Sequence, residues 1–309
     1  MSSRENVRNA QALPQVEEPW TEERLRIALP LPSADANKYT RGVLTVIAGS
    51  KRYPGAVCLA ARAGMRMGAG YVEVVTDKAA VSLLLGAAPS LVVRTVKDWR
   101  PSELATIKKN SPQAVCIGPG FVPNDPRTAE LVIGTLKQAN CPVLVDGGGL
   151  SALGSKKALK ALKKRKSRGL ATVITPHGGE AARLQAALGI DADMNAPEQL
   201  AATLANATGA IVVLKGPDTY VSDGKRVVPM REGTPALAKA GTGDVLAGMI
   251  SSLLAQGVDP FTAGVLGAML HARAGVIAAQ TYTVVGVTPE DAIEAIPAAI
   301  RSLAKLEMA

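Results

Sequence analysis

The chain has 309 residues, enough for one large α/β domain or two small ones, and its 47% hydrophobic residues can fill a sizeable core. Aromatics are only 3%, while small and branched side chains abound, which suits helices packed on a sheet buried on both faces. The net charge of +9 is local, because residues 155–169 hold eight basic residues and no acid, leaving +1 for everything else.

No run of about 18 uncharged apolar residues offers a transmembrane helix, and the polar N-terminus lacks the apolar stretch of a secretory signal. Cys58, Cys116 and Cys141 are odd in number, widely spaced and without Cys-x-x-Cys. They read as buried free thiols of a reducing cytosol, so the expected location is cytoplasmic. Two histidines, His177 and His271, are too few for a zinc site.

Residues 1–22 read as a mobile lead-in, and residues 23–309 as one domain. In chain order, apolar runs predict strands at Val43–Ala48, Tyr71–Thr76, Leu91–Arg94, Ala114–Gly118, Val143–Asp146, Thr172–Thr175 and Ile211–Leu214. Between them, helical spacing predicts helices such as Ala56–Met67, Arg127–Gln138, Gly179–Ala187 and Pro197–Ala207. The basic stretch 155–169 reads as a surface helix with a solvated cationic face; without interleaved aromatics it makes a poor nucleic-acid patch. Beyond Leu214, Thr219–Ser222 and Arg226–Pro229 flank Asp223-Gly224, a hairpin signal. Helices follow at Asp244–Gln256, Pro260–Ala279 and Pro289–Lys305. This alternation predicts a mostly parallel central sheet flanked by helices.

Ligands of such sheets bind beyond the carboxyl ends of the strands. There the chain places Gly49-Ser50, Gly118-Pro119-Gly120, Asp146-Gly147-Gly148-Gly149, Thr175-Pro176-His177-Gly178-Gly179-Glu180 and Lys215-Gly216. Ala240-Gly241-Thr242-Gly243-Asp244 runs straight into an apolar helix. The first turn of a helix carries unpaired N–H groups and positive potential, and glycines let a phosphate approach closely. Capping by Thr242 or Asp244 is the plainer alternative. Neither a Walker loop nor a dinucleotide fingerprint is present. An aspartate at an anion hole suits a general base for a hydroxyl attacking a terminal phosphate. His271 reads as a packed or capping histidine, Glu180 as a possible cap, Asp146 as either a turn cap or a group near phosphates, and Lys215 as a phosphate neutraliser.

These residues resemble the ADP-dependent NAD(P)H-hydrate dehydratases of the ribokinase-like superfamily. The resemblance covers roughly residues 20–300. It is carried by Gly49-Ser50 with Tyr53-Pro54-Gly55-Ala56, Arg66-x-Gly68-Ala69-Gly70, Gly118-Pro119-Gly120, Thr175-Pro176-His177-x-Gly179-Glu180-x-x-Arg183-Leu184, Leu214-Lys215-Gly216, and Gly233-Thr234-Pro235 leading to Gly241–Gly248. It implies a three-layer ribokinase-like α/β fold and repair of hydrated NADH and NADPH. The ring hydroxyl would be phosphorylated by ADP, or by ATP as in eukaryotic relatives, with Mg2+, and phosphate then eliminated.

By the same resemblance, Asp244 is the base and Gly241, Thr242 and Gly243 hold the transferring phosphate. Lys215, Gly216, Pro217, Asp218, Thr219 and Gly243 contact the adenine nucleotide, and Ala56, Gly120, His177 and Asp244 contact the hydrated dinucleotide; metal ligands are not assigned. The resemblance also implies a homo-oligomer, with a tetramer among the forms, and a separate epimerase, since the lead-in is too short for the family's N-terminal epimerase domain. Three positions depart from the family pattern: Gly148 replaces a second aspartate, Glu232 an asparagine, and Asn37 a histidine. The rivals are a small-molecule kinase of the same superfamily, a catalytically idle nucleotide-binding protein, and a nucleic-acid binder using residues 155–169.

Overall fold

In the computed structural model, residues 14–106 and 110–304 are described. In chain order they form β1 (Gln15–Val16), α1 (Glu22–Ile27), β2 (Val43–Ile47), α2 (Gly55–Arg66), β3 (Tyr71–Thr76), α3 (Lys78–Ala87), β4 (Val92–Thr95), β5 (Gln113–Ile117), α4 (Pro126–Gln138) and β6 (Val143–Val145). There follow α5 (Lys156–Ser167), β7 (Thr172–Ile174), α6 (Gly178–Leu188), α7 (Pro197–Thr208), β8 (Ile211–Leu214), β9 (Thr219–Ser222), β10 (Arg226–Met230), α8 (Thr242–Ala255), α9 (Pro260–Gly286) and α10 (Pro289–Ala304). The helix starts carry their own signals: Asp77, Asp125 and Ser155 accept hydrogen bonds from first-turn N–H groups, and Pro126 and Pro260 open helices without wasting a donor.

One sheet runs through the protein in the order β1-β10-β9-β8-β7-β6-β5-β2-β3-β4. Only β9 is antiparallel to its neighbours β8 and β10. The order reverses between β2 and β5, which pair in parallel, so the crevice beyond their carboxyl ends is the expected ligand side.

Alternate residues of each strand enter opposite cores. Leu44, Val46, Ala114, Cys116, Leu144 and Val213 pack with α2, α8, α9 and α10. Ile47, Val115, Ile117, Val143, Val145, Val212 and Leu214 pack with α4, α5, α6 and α7. The period of two along strands buried on both faces produces the three layers.

The structure adds to or corrects these expectations at four places. Gln15 and Val16, assigned to the lead-in, add a parallel strand to β10, and Trp20 is buried against Phe261; residues 1–13 lie outside the described residues. Helix α3 stands between β3 and β4, and Asp77 caps it. The basic face of α5 does not hold all of its cations in solvent: Arg165 is only 2% exposed and donates to the Ala139, Cys141 and Ala171 carbonyls and the Thr172 hydroxyl. Finally, α9 is long and apolar enough to cross a membrane by length and composition, but 72% of its apolar window is buried inside the protein, as befits a core helix. Helix α10 ends its described part at Ala304, so the expected Lys305 end lies outside the described residues.

Candidate active site

Three strand ends supply one ionic cluster. Asp146 follows β6, Thr175 follows β7 and Lys215 follows β8. The Lys215 ammonium donates to Asp146 Oδ1 at 2.8 Å, and the Thr175 hydroxyl donates to the same oxygen at 2.6 Å. Asp146 is almost fully buried, so these bonds offset its desolvation. Its Oδ2 has no protein partner among the described residues. Burial works against the charge on Lys215, but the carboxylates of Asp146, Glu180 and Asp244 outweigh it and raise its pKa.

The start of α8 faces this cluster. Gly241 adopts φ 101°, a left-handed conformation that glycine takes without strain. No side chain caps the helix. The Thr242 hydroxyl donates instead to the Leu237 and Lys239 carbonyls, and the Asp244 carboxylate accepts no hydrogen bond among the described residues. Simple capping therefore does not account for this sequence. The Thr242 N–H donates to the Lys239 carbonyl, so among the described residues the Gly243 and Asp244 N–H groups are left for an anion, and a Cβ on Gly243 would sit 3.1 Å from Lys215 Nζ, so the ammonium overhangs the helix start.

Asp244 lies at the rim of this anion hole, half-buried. Burial, then the Asp146 charge, push its pKa from 3.8 to about 7; Lys215 pulls it down and Glu180 adds to the rise. A carboxylate titrating near neutrality is well matched to accepting a proton. A cavity of about 850 Å³ joins these groups, within the range of small-molecule sites.

Most sequence-predicted residues meet in this cavity: His177, Lys215, Gly216, Pro217, Thr219, Gly241, Thr242, Gly243 and Asp244 line it. His177 Nδ1 also caps α6 by accepting from the Gly179 N–H, while Glu180 accepts from the His177 N–H. Asp218 stands outside the lining; its backbone oxygen packs close to Gly216. Ala56 and Gly120 lie apart from this cavity but beside each other, since a Cβ on Gly120 would fall 2.6 Å from Ala56 Cβ. Ala56 shares helix α2 with Leu59, whose side chain packs against the Gly241 turn.

Sequence reasoning missed the far wall, formed by Met230–Pro235, Leu237–Ala240, Ala268 and Ala272. Gly233-Thr234-Pro235 was the available signal; the small residues of α9 gave none, because apolar helix faces look alike in sequence. His271 is buried as expected, and it also lines the cavity. Burial and the nearby Lys215 push its pKa down to about 4, so it is neutral. Glu232, one of the departures, is held by Arg273, which also binds Glu22 of α1. At Gly148 a Cβ would fall 2.1 Å from the Phe121 carbonyl oxygen, so this backbone leaves no room for a second carboxylate.

Fold and site together define an α/β enzyme with an anion-binding helix start set between a lysine and an aspartate. A family model described as NAD(P)H-hydrate dehydratase matches residues 44–298. The ADP-dependent (S)-NAD(P)H-hydrate dehydratase of Xanthomonas campestris is 34% identical over 84% of this chain and 88% of its own length. A bifunctional NAD(P)H-hydrate repair enzyme of Thermofilum pendens is 31% identical over 90% of this chain, which spans only 53% of that longer protein. Among solved structures, the Bacillus subtilis ADP/ATP-dependent NAD(P)H-hydrate dehydratase co-crystallised with ATP and Mg2+ superposes with a TM-score of 0.78 at 27% identity, covering 95% of this chain and all of the other. A ribokinase-like superfamily protein of Enterococcus faecalis shares the fold, with a TM-score of 0.71 over 94% of this chain and 97% of its own. The chain belongs to the NAD(P)H-hydrate dehydratase family.

Proposed function

We propose that the protein removes water from the S epimer of hydrated NADH and NADPH, with ADP, or ATP, as phosphoryl donor. The observation that carries the mechanism is the uncapped α8 start, with Asp244 at one side and Lys215 at the other. The nucleotide's terminal phosphate would rest on the N–H groups of Gly243 and Asp244, with Lys215 neutralising it. Asp244 takes the proton of the ring hydroxyl as its oxygen attacks the phosphorus, and the bond to the donor's leaving phosphate breaks. The phosphorylated oxygen then departs as inorganic phosphate while the neighbouring ring carbon loses a proton. The double bond of NAD(P)H is restored, with AMP and phosphate as the other products from ADP. Positioning and charge stabilisation supply most of such a rate.

The described residues hold no group of three His, Cys, Asp or Glu able to bind a metal alone. They fit a nucleotide-borne Mg2+, which takes one or two carboxylates beside phosphates and water. Asp146 through Oδ2, and Glu180, would hold it, and the ion would neutralise charge on the transferring phosphoryl group. Asp218 and Thr219 would border the nucleotide, and Ala56, Gly120 and His177 the dinucleotide. A homo-oligomer, a cytoplasmic location and an epimerase acting in the same repair complete the reading; the buried free cysteines suit the location and the bifunctional relatives the epimerase.

The test is incubation with the S epimer of hydrated NADH, Mg2+ and ADP or ATP, followed by absorbance of intact NADH. A nucleotide-dependent rise that Asp244→Asn abolishes, with ADP binding retained, is expected. A stable phosphate ester as product would replace this reading with a kinase, and no reaction with either nucleotide would overturn it.

A further inference from the structure

Beside Ala56 and Gly120, which the proposed function sets against the acceptor, lies a set of groups that the mechanism above leaves unused. The loop after β2 is anchored there: the Ser50 hydroxyl donates to the Gly120 carbonyl at 2.7 Å, and the Gly49 N–H donates to the Pro119 carbonyl at 2.8 Å. The Tyr53 carbonyl packs against Gly120. This places Lys51, Arg52 and Tyr53 directly beside Ala56 and Gly120.

All three side chains are exposed, Tyr53 by 43%. Among the described residues, the side chains of Lys51 and Arg52 form no ion pair and no hydrogen bond; the one partner of Arg52 is the Tyr53 ring, with the guanidinium 5.3 Å from its centroid. Elsewhere on the surface some arginines are held by carboxylates, Arg62 and Arg66 by Glu294 and Arg94 by Glu103, while others, such as Arg127 and Arg301, form no ion pair among the described residues; what sets Lys51 and Arg52 apart is the exposed Tyr53 ring beside them. Two unneutralised cations beside an exposed aromatic face match a ligand that joins phosphate to a flat base.

Resting on the proposed function, we infer that Lys51, Arg52 and Tyr53 form a clamp for the phosphate-bearing nucleoside end of the acceptor dinucleotide. The anchored backbone fixes the loop, Tyr53 offers a stacking surface, and the two cations take phosphate oxygens. The phosphate concerned is either the diphosphate bridge, common to both substrates, or the 2′-phosphate found only in the NADP series.

The test compares wild type with Lys51→Gln, Arg52→Gln and Tyr53→Ala, using hydrated NADH and hydrated NADPH as substrates. Binding of NADPH and NADH themselves is measured by calorimetry, a readout that needs no turnover. About a tenfold loss of affinity per lost cation is expected, with kcat and the affinity for ADP little changed. Loss confined to the NADP series assigns the 2′-phosphate; equal loss in both assigns the diphosphate. Unchanged affinity in all three variants overturns the clamp, whether or not the dehydratase reaction is found. Loss of NADPH binding in a protein that fails to dehydrate the hydrate would instead keep the clamp and discard the reaction.

Discussion

Replacing Asp244 by asparagine tests catalysis and energetics at once. Displacement of its pKa from 3.8 to about 7 corresponds to about 4 kcal/mol of preference for the neutral form, at about 1.4 kcal/mol per pKa unit. The start of α8 favours an anion by up to about 1 kcal/mol, so ionised Asp244 costs the free folded protein on the order of 3 kcal/mol. The sign follows from proton binding. The folded state holds the proton more tightly than the unfolded chain, so the stabilising contribution is complete below about pH 4. It declines as pH rises and is gone once the folded carboxyl ionises near pH 7. Asparagine never ionises. Asp244→Asn is therefore expected to melt close to wild type at pH 4 and roughly 5–10 °C higher at pH 8, without nucleotide in either case. The same variant should lose at least a hundredfold in kcat, the usual scale for removing a general base. Equal melting temperatures at pH 8, or a less stable variant there, would refute the claim that Asp244 is held in an unfavourable ionised state.

The free-enzyme pH profile of kcat/KM should rise through about pH 7 as Asp244 loses its proton. Lys215→Met removes the cation that holds this pKa down, so the remaining activity should shift to higher pH; an unmoved midpoint would separate Lys215 from Asp244. Arg165→Met leaves three carbonyls and a hydroxyl without their donor and should lower stability by about 3 kcal/mol, read as the urea midpoint. Lysine at that position should not rescue it, because one ammonium cannot span those acceptors. Gly148→Asp restores the carboxylate common in the family but places Cβ against the Phe121 carbonyl. A loss of about 3 kcal/mol is expected, and a stable, more active variant would show that the backbone yields there.

Much was legible along the chain because it depends on neighbours in sequence. The apolar run at Val43–Ile47 and the helical spacing after Gly55 follow from which faces of an element must be buried. The Asp223-Gly224 turn and the Gly-Thr-Gly-Asp helix start are local backbone requirements, and both stand where expected. The tertiary structure alone decided what passes between distant segments. Glutamine and valine at positions 15 and 16 carry no strand signal, yet the open edge of β10 recruits them. Arg165 looked like one more surface cation until the ends of β6 and β7 presented it with bare carbonyl oxygens. Asp146, Lys215 and Asp244 are separated by dozens of residues, and only the sheet order sets them together. The sequence named the acid and the cation; the low-dielectric crevice, formed only when the strands assemble, is what raises the Asp244 pKa to about 7 and gives it a proton affinity suited to its task.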